Sequence, residues 1–432
     1  MFERILIACR GEVGARVART CRRLGLDTVA VHVAGEQDEV HVEACDEAIE
    51  IGSEAAAYAD PDLLVAAAAH ANVGAVHTGY GLGLDEARLA RALADREIAY
   101  VGAHYERFEA SFDLLRVRAA ADDAGVRVIA AEGPLTDAAA VGAAIDALGA
   151  PVVLRPARCA REPDEILLAS EPIALAEPHV AERYLERPRH VEVQLLSDGQ
   201  DAVVLGDWEC SLRKGHHRVA AEAPARALDA LPQRDAVRGA VWDASIEITT
   251  RLGLAGLVTC HYLLDADGVF FFVGARAGLQ EEHVLTEMCT ALDLVELQLR
   301  VASGEGMPPE ALRAEPTGAA FQARVDASAD PRTGRPFESR VDAARWPPAP
   351  PGKVRLEAGV KNGSAIAQAH DPLIATVTTY APTRHDALLM LDRIIAEIHL
   401  APLVTNLRLL RKALNHESLR AGQYDEGLLD RI

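Results

Sequence analysis

A chain of 432 residues has room for about two to four domains of ordinary size and a large buried core. Its 44 basic and 65 acidic side chains leave a formal net charge of −21, which excludes a surface built to bind DNA, RNA or anionic lipid. With 50% hydrophobic and 25% charged residues, it is globular rather than a disordered acidic chain.

The first hundred residues alternate strand and helix patterns. Arg4–Cys9 is a short apolar run suited to a strand buried on both faces. Val13, Val17, Cys21 and Leu24 then repeat at helical spacing until Gly25. Strands are expected at Thr28–Val33, Asp46–Gly52, Ala75–His77 and Ala99–Gly102, with helices through Leu63–Ala71 and Asp85–Asp95 between them. That alternation predicts a parallel sheet. Phe112–Leu148 reads as mainly helical and leads into a strand at Pro151–Leu154. His190–Asp198, Ala202–Arg213 and Leu257–Arg276 are β-rich, with turns at SDGQ and DADG that signal antiparallel hairpins. A helix is expected through Asp235–Leu252 and another at Arg384–Ile398, with Thr383 as its N-cap.

Seven cysteines (Cys9, Cys21, Cys45, Cys159, Cys210, Cys260, Cys289) are scattered and never spaced C-x-x-C. They read as buried thiols in a reducing compartment, not as disulfides or a zinc site. No signal peptide and no membrane-length apolar run is found, so a soluble, cytoplasmic protein is expected. His216-His217 has no third ligand at zinc spacing, and no metal site is expected there.

Four segments carry a resemblance: ILIACRGEVGARVARTCRRLG (Ile5–Gly25), AVHTGYGLGLDEARLARAL (Ala75–Leu93), ERYLERPRHVEVQLLSDGQ with ECSLRKGHHRVAAEAPA (Glu182–Ala225), and LQEEHVLTEMCTALDLVELQLRVASGE (Leu279–Glu305). In order and spacing they resemble the biotin carboxylase branch of the ATP-grasp enzymes. The resemblance implies an α/β N-terminal domain with a parallel sheet, followed by an ATP-grasp α+β fold with a reduced lid. The expected division is 1–112 for the N-terminal domain, 113–189 for the truncated lid, and 190–432 for the ATP-grasp core and C-terminal domain. It also implies ATP as ligand, a homodimer, and separate biotin carrier and carboxyltransferase chains. No biotin attachment signal of the M-K-M type is found, so no biotin is expected on this chain.

By the same resemblance, Glu282 falls on the catalytic glutamate and Arg324 on the arginine that steadies the biotin anion. Arg218 replaces a bicarbonate-holding lysine. Gln280 lies in the bicarbonate strip and Tyr80 near the biotin pocket. Arg155, Glu182, Leu185, His190 and His216 match nucleotide-lining positions. Other positions depart from the family. Its two metal-bearing glutamates align with Tyr262 and Gly274, the asparagine after the second with Arg276, and a bicarbonate arginine with Gly278. The glycine-rich flap becomes RPARCAREPDE, and one nucleotide lysine becomes Leu114. Only four of the 44 basic residues are lysine, leaving 40 arginines, and arginine's planar fork does not replace a phosphate lysine neutrally. Mg²⁺ is poorly served by tyrosine and not at all by glycine.

Three functional readings follow. The first is a catalytically degenerate subunit that scaffolds or regulates a biotin-dependent acyl-CoA carboxylase. The second is an active biotin carboxylase with an unusual metal site, and the third a nucleotide or anion sensor without turnover. Glu282 and Arg324 read either as a retained acid–base pair or, the favoured reading, as a structural salt bridge with each other. Arg276 reads either as a charge that replaces Mg²⁺ by pairing with a phosphate or, more simply, as a partner of Glu281 or Glu282. The run Arg213, Lys214, His216, His217, Arg218 stands as either an anion site or a solvated patch.

Overall fold

Short apolar strands joined by amphipathic helices bury both sheet faces when the strands run parallel. In the computed structural model, which describes residues 2–81, 85–158, 166–215, 217–328, 337, 339–366 and 372–432, the N-terminal strands do this. Arg4–Ile7, Asp27–Val33, Glu47–Gly52, Ala75–His77 and Ala99–Tyr100 form one parallel sheet, with the first strand at its centre. The helix Gly11–Arg23 buries Val13, Val17 and Cys21 as its spacing predicts, but it also buries Arg16. Gly14 lets this helix come close to the next segment, since a Cβ there would stand 2.8 Å from that of His41.

The stretch Phe112–Leu148 is not continuously helical. Between the helices Leu114–Asp123 and Ala138–Leu148 lies a strand, Ala131–Leu135, whose Gly133-Pro134 pair is a poor helix interior. It joins His179–Arg183, Val152–Pro156 and Leu167–Ala169 in a four-stranded antiparallel sheet. Val141 and Ala144 of the second helix pack on Leu135, Val152, Leu154 and Ala181 of that sheet.

The central sheet has eight antiparallel strands. Their order is Phe270–Ala277, Ala255–Leu264, Arg189–Asp198, Ala202–Lys214, His217–Ala223, Ala319–Asp326, Leu373–Ala381 and Val354–Ala358. The SDGQ and DADG hairpins form where expected. The Arg189–Asp198 strand alternates: Val191, Val193 and Leu195 enter a core that also holds Ile248 and Leu252 of the helix Arg234–Leu252. Its alternate residues His190, Glu192 and Gln194 are polar and equally buried. A polar face removed from water is the informative exception to ordinary packing. Among the described residues, no helix is long and apolar enough to cross a membrane, and six cysteines are free thiols. Cys159 lies outside the described residues.

Candidate functional site

A cavity of about 470 Å³ opens between the four-stranded sheet and the central sheet. Its apolar wall includes Phe112, Leu114, Val153, Leu185 and Leu263, and Arg155, Glu182 and His190 also line it. Four of the residues expected at a nucleotide, Arg155, Glu182, Leu185 and His190, therefore share one space; His216 lies outside the described residues. Arg155, which lines the cavity, and Arg118 are both engaged by the protein's own groups. Arg155 Nη1 donates to the Val273 carbonyl at 2.9 Å and lies 3.4 Å from Glu182. Arg118 donates to the other Glu182 oxygen at 2.5 Å.

The buried polar face of the central sheet carries a second group. Arg218 sits between two carboxylates, with Nη2 2.9 Å from Glu192 Oε1 and Nη1 2.7 Å from Glu282 Oε2. It also donates to Gln280 Oε1 at 3.1 Å. Trp208 Nε1 donates to Glu192 Oε2 at 2.9 Å. His190 and His261 approach Glu192 Oε1 at 3.4 and 3.3 Å. Beside this group, Arg324 Nη1 pairs with Glu281 Oε1 at 2.6 Å. The buried Tyr80 lies near His283, its ring centroid 6.4 Å away.

These environments push the three carboxyls apart. Burial, reinforced by the negative charges of Glu281 and Glu192, outweighs Arg218 and pushes Glu282 up to about 7. Burial also opposes ionisation of Glu192, but Arg218 and His261 hold its carboxyl well below the usual range. Burial opposes ionisation of Glu281 too, and Arg324 and Arg218 hold it below its ordinary value. Desolvation, with the nearby Arg213 charge, lowers His190.

Several sequence expectations are corrected here. Glu282 and Arg324 do not pair with each other: Glu282 takes Arg218, and Arg324 takes Glu281. Consecutive residues at the entry to a helix point in different directions, so neighbours in sequence find different partners. Arg276 pairs with neither glutamate; its Nη2 donates to the Tyr80 carbonyl at 2.9 Å. The basic run does not form one patch. Arg218 is buried, Arg213 contacts His190 Nδ1 at 2.7 Å, and Lys214 pairs with Asp430 at the surface.

Tyr262 is also not at the site. It is buried against Phe272, and its hydroxyl meets Ser245 Oγ at 2.8 Å. The residue directly across from Gly274 is His261. Strand side chains alternate faces, so an offset of one residue moves the side chain to the other side of the sheet. Tyr262→Phe is accordingly expected to cost about 1 kcal/mol in urea unfolding, one buried hydrogen bond. Ligand affinity at the cavity should be unchanged, and a lost affinity would place Tyr262 back in the site.

The pair of positions facing each other on these strands is thus an imidazole and a residue without a side chain. Mg²⁺ demands a near-octahedral shell of oxygens, and this donor pair does not fit it.

Sequence reasoning missed Glu192 and His261, and it named Glu281 only as a partner for Arg276, not for Arg324. Glu192 was within reach, because it lies two residues from His190 and so shares its strand face. His261 needed the strand register, which places it directly opposite Glu192. Glu281 needed the position of Arg324, more than forty residues away.

Comparison with known proteins supports this architecture. Residues 1–108 match the family described as "Biotin carboxylase, N-terminal domain", residues 113–309 "Carbamoyl-phosphate synthase L chain, ATP binding domain", and residues 322–431 "Biotin carboxylase C-terminal domain". The chain is 30% identical to a biotin carboxylase of Nostoc sp., over 98% of this chain and 97% of that one. It is also 30% identical to the Oryza sativa mitochondrial methylcrotonoyl-CoA carboxylase subunit alpha, over 99% of this chain. There it spans 60% of the relative's length. Among solved structures, it superposes with a TM-score of 0.91 on the biotin carboxylase domain dimer of Hydrogenobacter thermophilus 2-oxoglutarate carboxylase, in complex with MgADP, ADP and bicarbonate. That likeness covers 100% of this chain and 98% of the other at 25% identity. Segment order, three successive domain matches and full-length superposition agree: the chain belongs to the biotin carboxylase family, on an ATP-grasp fold.

Proposed function

We propose that this chain is a catalytically degenerate biotin carboxylase-like subunit that scaffolds or regulates a biotin-dependent acyl-CoA carboxylase. The observation that carries the reading is the charge state of the site. Gly274 and His261 offer no oxygen side chain where two strands face each other. Arg218 and Arg324 are neutralised by the chain's own Glu192, Glu282 and Glu281. Polyphosphate chemistry needs cations preorganised for the substrate. Here the cations are already occupied.

The same reading divides the chain near residues 112 and 189 into N-terminal domain, reduced lid and core. It includes a homodimer, as in the Hydrogenobacter domain, and carrier and carboxyltransferase chains as partners. A reducing, cytoplasmic setting belongs to it as well, supported by the free thiols.

One observation favours a second reading, an active carboxylase with a different metal arrangement. Glu282, pushed up to about 7, has the affinity for protons that a general base at neutral pH requires. Bicarbonate-dependent ATP hydrolysis with free biotin separates the two. Loss of one preorganised electrostatic donor costs about 10²–10³ in rate. The full chain is therefore expected to run at least about 10³-fold below an active biotin carboxylase assayed beside it. A rate within about tenfold would sink the first reading and leave the second.

A further inference from the structure

His190 and Glu192 lie two apart on one strand, and His261 lies directly across from Glu192 on the next. All three are buried, and one ligand atom from each lies within 4.8 Å of the other two. His190 Nε2 and His261 Nδ1 stand 3.4 and 3.3 Å from Glu192 Oε1. Bonds of about 2.0–2.1 Å at the tetrahedral angle place neighbouring ligand atoms about 3.3–3.4 Å apart. Two edges of the triangle already have that length. His190 Nε2 is buried and makes no hydrogen bond among the described residues, although Glu192 Oε1 lies 3.4 Å away; a buried polar atom without a hydrogen bond calls for an explanation.

From this geometry we propose that His190, Glu192 and His261 form a binding site for one borderline divalent transition-metal ion, of the Zn²⁺ or Co²⁺ class, with its open side towards the cavity. Two imidazoles and one carboxylate suit that class, whereas Mg²⁺ takes oxygen donors. His190, His261 and Gly274 all line the cavity. Because Gly274 has no side chain, space remains beside His261 for a water or a ligand atom at the fourth position.

Three contacts must rearrange for the ion to bind. At His261 the ring proton must sit on Nε2, so that Nδ1, which faces Glu192 Oε1 at 3.3 Å, can ligate. Arg213 Nη1 lies 2.7 Å from His190 Nδ1, which places the ring proton on Nε2. Metal binding at Nε2 moves the proton to Nδ1, where the Glu426 carboxylate, 3.5 Å away, accepts it. Arg213 turns aside into the cavity it lines. A carboxylate behind a ligating histidine is the usual outer-shell support for such an ion. Arg218 now shares Glu192 Oε1 but keeps Glu282 and Gln280 as acceptors, so it can cede that oxygen. Glu192 Oε2 stays with Trp208. The site is independent of ATP turnover and holds whichever reading of the activity is correct.

The test uses the full chain, stripped with chelator, dialysed and titrated with CoCl₂ and then ZnCl₂. About one equivalent of Co²⁺ is expected to bind, with the strong visible absorption of a four-coordinate ion. Zn²⁺ should bleach it, and a large excess of Mg²⁺ should not. His190→Gln and His261→Asn are expected to weaken Co²⁺ binding at least about tenfold. His217→Ala and His399→Ala, both exposed, should leave it unchanged. Absence of a stoichiometric cobalt spectrum in the wild-type chain overturns the proposal, whether or not the variants fold. A spectrum of equal strength in a folded His261→Asn chain overturns it as well.

Discussion

Replacing Arg218 by methionine is expected to cost about 3–5 kcal/mol of folding stability at neutral pH, the usual penalty for breaking a buried ion pair on one side. Methionine fills much of the space of the arginine stem, so the loss is electrostatic rather than a cavity. Glu192 and Glu282 are fully buried, and Arg218 is the cation that touches both. Without it, Glu192 retains Trp208 and His261, whereas Glu282 loses its ion pair. Arg218→Met with Glu282→Gln should therefore recover part of the loss, measured as the midpoint of urea unfolding.

The pH dependence has a definite sign. The folded-state carboxyl of Glu282 is raised to about 7, above its unfolded value of about 4.5. The folded chain binds the extra proton between those values, and Glu282's contribution to stability declines as pH rises through that window. The cost of Arg218→Met is accordingly expected to be smaller at pH 5, where Glu282 is protonated, than at pH 8. A cost below about 1 kcal/mol at both values would mean that Arg218 does not compensate these charges.

Glu287→Ala is expected to be comparably damaging, at about 3–5 kcal/mol, but at a junction rather than at the site. Arg16 lies on the first helix of the N-terminal domain, and its Nη2 lies 2.7 Å from Glu287 and 3.0 Å from Asp293. Glu287 also pairs with Arg355 and accepts from the Leu294 backbone N–H at 2.7 Å. Its loss leaves a buried guanidinium half-compensated and a buried N–H without its acceptor. Glu287→Gln keeps an oxygen for that N–H and should cost less, about 1–3 kcal/mol.

Burial pushes the Glu287 and Asp293 carboxyls up, but Arg16 outweighs it and both are held below their ordinary values. Groups depressed in this way stabilise the fold above their unfolded pKa, and the contribution is lost as pH falls through the folded value. Thermal midpoints followed from pH 7 downwards should therefore fall less steeply in Glu287→Ala than in the wild-type chain. Parallel acid limbs would show that the network does not link protonation to folding.

The parallel N-terminal sheet was legible because short apolar runs and amphipathic helices have different periods. The central hairpins were legible because SDGQ and DADG are turns with a mechanism. The Ala131–Leu135 strand was not, since it lies among alanines that favour helix and becomes a strand by pairing with His179–Arg183. The site was legible as a set of residues but not as a set of pairs. Its residues recur in ordered motifs, whereas the choice of Glu281 over Glu282 by Arg324 depends on tertiary geometry. His261 was missed in favour of Tyr262 because the pairing of this strand with Phe270–Ala277 shifts register between those two residues. No periodicity in a single strand reports such a shift.

The bond from Arg155 to the Val273 carbonyl has a thermodynamic consequence. It fastens the four-stranded sheet to the floor of the cavity with the protein's own groups. Where a cover closes because a guest supplies the closing contacts, occupancy and closure reinforce each other. Here closure is met internally, and a guest that needs Arg155 must first displace a carbonyl and Glu182 from it. Occupancy and closure then oppose each other, and affinity measured from outside is reduced by the free energy of that exchange.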